Sequence, residues 1–279
     1  MRNTRIISTV LAPGIMTLVF LLGGCASETS ANENNVRAHI DSATGEIVLP
    51  LEAYAMNQKD ERDVGQANAL LLNKCLKETG RNFPRATQDW AAIPAYPDRR
   101  YGLWSKADAV ANGYELPEAK DAKSLTEQEE TLGQDWWSAY EVCHSDLQLF
   151  PMMGINTAMD PSPVDLGMQE SFEALLASSE FERIRDEWKL CVTAAGLTPD
   201  PNSTLMVPAI PAWGEDQLRV AAADVECKES LNSVQPLADF EASEQKTYIK
   251  KHESELTNYR NEVDKVLESV TKTITTHGG

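Results

Sequence analysis

The chain has 279 residues, with 25 Lys and Arg against 43 Asp and Glu, a formal charge of −18 at pH 7. So strong an acidic excess argues against nucleic acid or an anionic membrane surface as an electrostatic partner. Five cysteines in a chain of this length raise the question of redox compartment before that of chemistry.

At the N-terminus, Arg2 and Arg5 stand without any acidic residue before Glu28, and Ile6 to Leu22 is an apolar run interrupted only by Pro13-Gly14 and a few small polar residues. A basic segment followed by an apolar one is the pattern of a secretory signal. A spanning helix needs about 20 apolar residues, and a Pro-Gly pair weakens it. The run ends in Leu22-Gly23-Gly24-Cys25, which resembles the lipobox of bacterial lipoproteins. The resemblance implies diacylglycerol on the Cys25 thiol and cleavage before it, so residues 1–24 are read as a signal peptide. The mature chain would then carry 23 basic and 43 acidic residues, a charge of −20 before termini. With more than one acyl chain, such an anchor holds stably to a bilayer.

Residues 25–45, rich in Ser, Asn, Thr and Glu, read as a flexible tether from lipid to folded body. Strand signals are sparse; the best is the short Ile47-Val-Leu49. The fold class is mainly α.

The remaining cysteines, Cys75, Cys143, Cys191 and Cys227, lack zinc-site or C-x-x-C spacing and read as structural bridges in an oxidising compartment. Three pairings are open to four cysteines, and an internal repeat chooses among them. Cys75 and Cys191 are each followed five residues later by a Gly that ends a helical pattern, Gly80 and Gly196. Ile93-Pro-Ala-Tyr96 answers to Ile210-Pro-Ala-Trp213, and Tyr140-Glu-Val-Cys143 to Asp224-Val-Glu-Cys227. Two duplicated helical units are therefore expected, 46–150 and 168–279, joined by a Pro-rich linker over 151–167. One bridge falls in each unit, Cys75–Cys143 and Cys191–Cys227.

Along the second unit Phe181, Ile184, Trp188, Cys191 and Ala195 form one helical face, with Ser179 and Glu182 as a capping box. Val64, Ala67, Leu71 and Cys75 do the same in the first unit, and Ser124 with Glu127 predicts a cap for the helix leading to Trp136. From Leu237 to Lys272 no Gly or Pro occurs; Ile249, Leu256, Val263 and Val270 fall seven apart, with His252, Tyr259 and Val266 between them. This predicts a long C-terminal helix, about 50 Å, with a coiled-coil-like seam packed on its own chain or on a partner.

Catalytic patterns are missing. Ser243-Glu-Gln-Lys246 matches one S-x-x-K element without its companion motifs, and the four histidines are scattered. No catalytic residue, cofactor or metal site is expected. One patch departs from the acidic background: residues 81–104 hold Arg81, Arg85, Arg99 and Arg100 with Phe83, Trp90, Tyr96, Tyr101 and Trp104. Arginines among aromatics can hold a carboxylate, a phosphate or a sugar ring; alternatively they pair with the chain's acids while the rings fill core. The first unit has 47 residues from Tyr96 to Cys143, and the second 14 from Trp213 to Cys227, so the first carries an insertion of about 33. Such insertions map to surface loops, which makes Arg99, Arg100, Tyr101 and Trp104 the candidate ligand or partner contacts.

Leu49-Pro-Leu-Glu-Ala-Tyr54, Arg99-Arg-Tyr-Gly102, Trp188-Lys-Leu-Cys191 and Ala223-Asp-Val-Glu-Cys227 resemble recurring landmarks of uncharacterised secreted proteins and lipoproteins of actinobacteria. That resemblance brings no activity with it, only the implication that such proteins are encoded near envelope transporters. The sequence therefore reads as a lipid-anchored envelope lipoprotein on the extracytoplasmic face of the cell membrane. It would bind a ligand or assist a membrane complex such as a transporter. An envelope enzyme with an unrecognised site is the alternative.

Overall fold

The computed structural model describes residues 36–155, 161–211 and 214–278. The signal segment, Cys25, the tether as far as residue 35, and Trp213 lie outside the described residues. The first element is an antiparallel hairpin, β1 His39–Asp41 against β2 Glu46–Val48, with Ile40 opposite Ile47. Residues 36–45, expected as tether, are thus part of the folded body. The Ala38 N–H donates to Asp239 Oδ1 at 2.8 Å, and Gln235 Nε2 donates to the Ala38 carbonyl at 3.1 Å. A polar segment is held by its backbone, which composition does not reveal.

Helix α1, Gln58–Glu78, opens on a capping box between Asn57 and Asp60 and turns Val64, Ala67, Leu72 and Leu76 inward. It ends at Gly80, whose φ of +77° allows the Gly80 N–H to reach Lys77 O and the Arg81 N–H to reach Leu76 O. That pair of bonds satisfies the last helical carbonyls. The predicted insertion holds two short helices, α2 Lys106–Ala111 and α3 Ala122–Glu130, before α4 Gln134–Asp146. Ser124 lies inside α3, and the helix carrying Trp136 and Cys143 begins instead at Gly133, so the cap expected at Ser124 is not one.

The Pro-rich linker is shorter than expected. Pro163 occupies the first turn of α5, Pro163–Leu176, capped by Ser162 with Asp165; a proline there loses no helical bond. Helix α6 spans Ser179–Ala194 and is capped by Ser178 rather than Ser179. It ends at Gly196, φ +78°, with the same two backbone bonds as Gly80. Then come α7, Glu215–Ser230, and α8, Val234–His277, of 44 residues. Disulfides tie α1 to α4 through Cys75–Cys143 and α6 to α7 through Cys191–Cys227, with Cα separations of 5.9 and 5.7 Å.

The described residues form one compact unit with a shared core. Ile47, Leu49, Tyr101 and Trp104 from the first half pack with Leu175, Phe181, Trp188 and Leu237 from the second. Helix α8 lies along both α5 and α1. Its predicted seam is covered within the chain: Leu256 packs with Leu51 and Val164, and Val263 and Val270 with Met56, Val64 and Ala67. Gly167 of α5 lets Tyr248 of α8 lie against its backbone, because a Cβ there would lie 2.6 Å from the Tyr248 ring. His252 interrupts α8 with φ −118° and ψ 22°. It is half-buried, stacked on Tyr248 with ring centroids 4.2 Å apart.

Candidate functional site

Of the residues proposed as contacts, Tyr101 and Trp104 are inside the molecule, and Arg99 and Arg100 are half-buried. Tyr101 is 0% exposed and Trp104 6%. Arg99 closes its own loop: Nε donates to Asp108 Oδ2 at 2.9 Å, while its terminal nitrogens donate to the carbonyls of Gly113, Tyr114 and Glu115. Arg100 sits among three carboxylates, Asp98, Glu52 at 2.9 Å and Glu241 at 3.5 Å. The Tyr101 hydroxyl donates to Glu241 Oε2 at 2.7 Å, and the Trp104 indole N–H to Asp98 O at 2.6 Å. The two rings are buried and the two arginines half-buried because these side chains find acids and carbonyls that sequence distance hides. Part of the segment expected as an insertion packs into the core, through Tyr101, Leu103, Trp104 and Ala109.

One guanidinium serves three carboxylates, so none has a full counter-charge. Burial pushes the Glu52 carboxyl up to about 7 against the pull of Arg100, and raises Glu241 in the same way. Burial opposes the charge on Arg100 itself, but Asp98, Glu241 and Glu52 together carry its pKa above the ordinary range. Arg100, Asp98 and Glu241 border a cavity of about 760 Å³ whose apolar lining includes Met168, Phe172 and Leu205.

A second buried network fastens the same loop to α7. Lys228, 1% exposed, donates to Asp224 Oδ2 at 2.8 Å and to Leu103 O at 2.7 Å. Asp224 also accepts from the Trp188 indole at 2.7 Å and the Tyr114 hydroxyl at 2.9 Å. Burial pulls the Lys228 pKa down, with Asp224 opposing it. Every oxygen of Asp224 is engaged, as a buried charge requires.

The rest of the Arg-aromatic patch has a different fate. Tyr96 is exposed and Arg85 and Trp90 half-buried; with Gln88 they line one side of a cavity of about 710 Å³, and α3 and the turn before it supply Glu118, Lys123 and Glu127. Arg85 makes a two-pronged pair with Glu129, at 2.7 and 2.8 Å. Tyr96 is 50% exposed, while its backbone is held on both sides by the Gln58 side chain: Gln58 Nε2 donates to Tyr96 O at 2.8 Å, and Tyr96 N to Gln58 Oε1 at 2.6 Å. Gln88 Oε1 is buried with no hydrogen-bond partner among the described residues. Sequence reasoning listed Arg85, Trp90 and Tyr96 but passed over them for their neighbours, and nothing local marks Gln88 or Gln58.

Among the described residues no group of three or more His, Cys, Asp or Glu could hold a metal ion. No described helix is long and apolar enough to cross a membrane. No protein-family model matches the chain, and neither the curated proteins nor the solved structures contain a significant match to it.

Proposed function

We propose that this chain is an exported bacterial lipoprotein, cut before Cys25 and held by acyl chains at the extracytoplasmic face of the cell membrane. There it acts as a non-enzymatic binding or accessory component of a membrane complex, related to the actinobacterial lipoproteins that its landmarks resemble. The observation that carries the reading is the combination of Leu22-Gly-Gly-Cys25 with two disulfides, Cys75–Cys143 and Cys191–Cys227, in the body that follows. Structural disulfides persist in oxidising compartments and are rare in reducing ones. A binding role is supported by the way polar groups at both cavities are committed to one another. Arg100 is tied to three carboxylates and Arg85 to Glu129, an arrangement that shapes a fixed wall. The matching Cys75–Gly80 and Cys191–Gly196 helix ends further support descent of the two cysteine-bearing units from one duplicated segment.

Metabolic labelling of the producing cell with a tagged fatty acid tests the anchor. The protein should carry the label, and Cys25→Ala should abolish it. Labelling that persists in the variant would overturn the lipoprotein reading. Crosslinking in the intact envelope then tests the accessory role through recovery of a membrane protein partner.

A further inference from the structure

The cleft between residues 85–96 and α3 has the makings of a carbohydrate site. Two aromatic rings line it. Trp90 is seated on α1 at Gly65, where a Cβ would lie 2.4 Å from the ring, and its indole N–H is committed to Arg85 O at 3.2 Å. The Tyr96 ring is half exposed on a backbone pinned twice by Gln58. An aromatic platform that is fixed in place but left open, as Tyr96 is and the half-buried Trp90 is in part, loses little entropy when something stacks on it.

The polar groups narrow the class of ligand. Gln88 Oε1 is a buried acceptor without a donor, a condition that costs about 1–3 kcal/mol until a donor arrives. Arg85 and Lys123 face Glu118, Glu127, Glu129 and Glu130, so acids outnumber bases around the opening. That excess disfavours phosphate and carboxylate ligands. A wholly apolar ligand would bury these charges and leave the Gln88 oxygen unmet. A neutral polyol with one apolar face satisfies both demands: its hydroxyls donate to the glutamates and, once the Gln88 side chain turns its oxygen toward the cleft, to Gln88, and its C–H face lies on a ring. The geometry points to this cleft as a binding site for a neutral saccharide, with Tyr96 and Trp90 as stacking platforms and Gln88 as a hydroxyl acceptor. A cavity of about 710 Å³ falls in the ordinary range for ligand sites and has room for a short oligosaccharide. The assignment rests on the binding-protein reading above, and does not depend on the lipid anchor.

The test is a titration of the full chain, purified in a detergent without a sugar headgroup. The probes are chitotriose, maltotriose and mannotriose, with inorganic phosphate as the anionic comparison. Binding is read by calorimetry and tryptophan fluorescence. At least one trisaccharide should bind and phosphate should not. Tyr96→Ala should weaken that binding tenfold or more with an unchanged melting temperature. Gln88→Leu removes no hydrogen bond of the folded protein; it should weaken binding similarly, and it serves should Tyr96→Ala unfold. Failure of all three sugars to bind, or binding that both variants leave intact, overturns the saccharide assignment while fatty-acid labelling and crosslinking still judge the binding-protein reading. Cleavage of a bound trisaccharide would overturn the non-enzymatic reading and leave the saccharide assignment standing.

Discussion

Tyr101 donates its hydroxyl to Glu241 across 2.7 Å, joining residues 140 apart in the chain. The bond couples the segment before α2 to the buried side of α8. Tyr101→Phe keeps the ring and leaves one Glu241 oxygen without its donor. The variant should lose about 1–3 kcal/mol, the cost of an unsatisfied buried acceptor, read as a lower midpoint in urea with an unchanged slope. An unchanged midpoint would mean that the hydroxyl does not anchor the loop.

The same cluster sets a pH dependence. Burial raises the folded-state pKa of Glu52 from 4.5 to about 7, so the folded protein holds a proton that the unfolded chain releases. By linkage, this contribution is fully present below about pH 4.5 and is lost as pH rises toward 7. Glu241 is shifted in the same direction. Self-repulsion of so acidic a chain also grows with pH, so the informative quantity is the difference between proteins. Glu52→Gln should fall with pH less steeply than the parent between pH 5 and 8 and be the more stable at pH 8. Parallel urea-stability profiles for the two proteins would show that Glu52 titrates normally.

Lys228 and Asp224 form a pair that is 1% and 0% exposed. Lys228→Met removes the cation and leaves Asp224 buried with only the Trp188 and Tyr114 donors. Breaking a buried pair on one side costs about 3–5 kcal/mol. Adding Asp224→Asn should recover part of that loss, since the neutral amide needs no counter-ion. Scanning calorimetry of both single variants and the double variant gives the coupling, and strictly additive losses would argue against the pair.

The two bridges close loops with sequence separations of 68 and 36 residues. In the chain-entropy model each stabilises by about 4 kcal/mol, the longer loop slightly more. Replacing Cys75 and Cys143 by Ala together should therefore cost at least as much as replacing Cys191 and Cys227. Non-reducing peptide mapping should recover the same two pairs. A Cys75–Cys191 peptide would contradict the arrangement of α1 with α4 and α6 with α7.

What could be read from the sequence is what neighbouring residues decide among themselves. Gly80 and Gly196 end their helices because a glycine tolerates positive φ and the closing bonds reach back only three and five residues. The seven-residue spacing of Leu256, Val263 and Val270 places them on one side of α8 whatever covers it. The bridge pairing was legible too, because the same local landmarks occur twice. The cap of α6 was missed by one residue: Ser178 and Ser179 offer the same hydroxyl, and only the backbone angles at Ser178 choose between them.

The tertiary structure decided which arginines and aromatics went inside. Tyr101 is buried and Arg100 half-buried because Glu241 and Glu52 lie where they can meet them, while Tyr96, a few residues earlier, stays exposed because Gln58 takes its backbone and leaves its ring alone. Both outcomes turn on hydrogen bonds between residues 38 to 141 apart in sequence. Composition and spacing record that a donor and an acceptor exist. Only packing brings them within hydrogen-bonding distance, and there an otherwise costly buried charge becomes a stable part of the core.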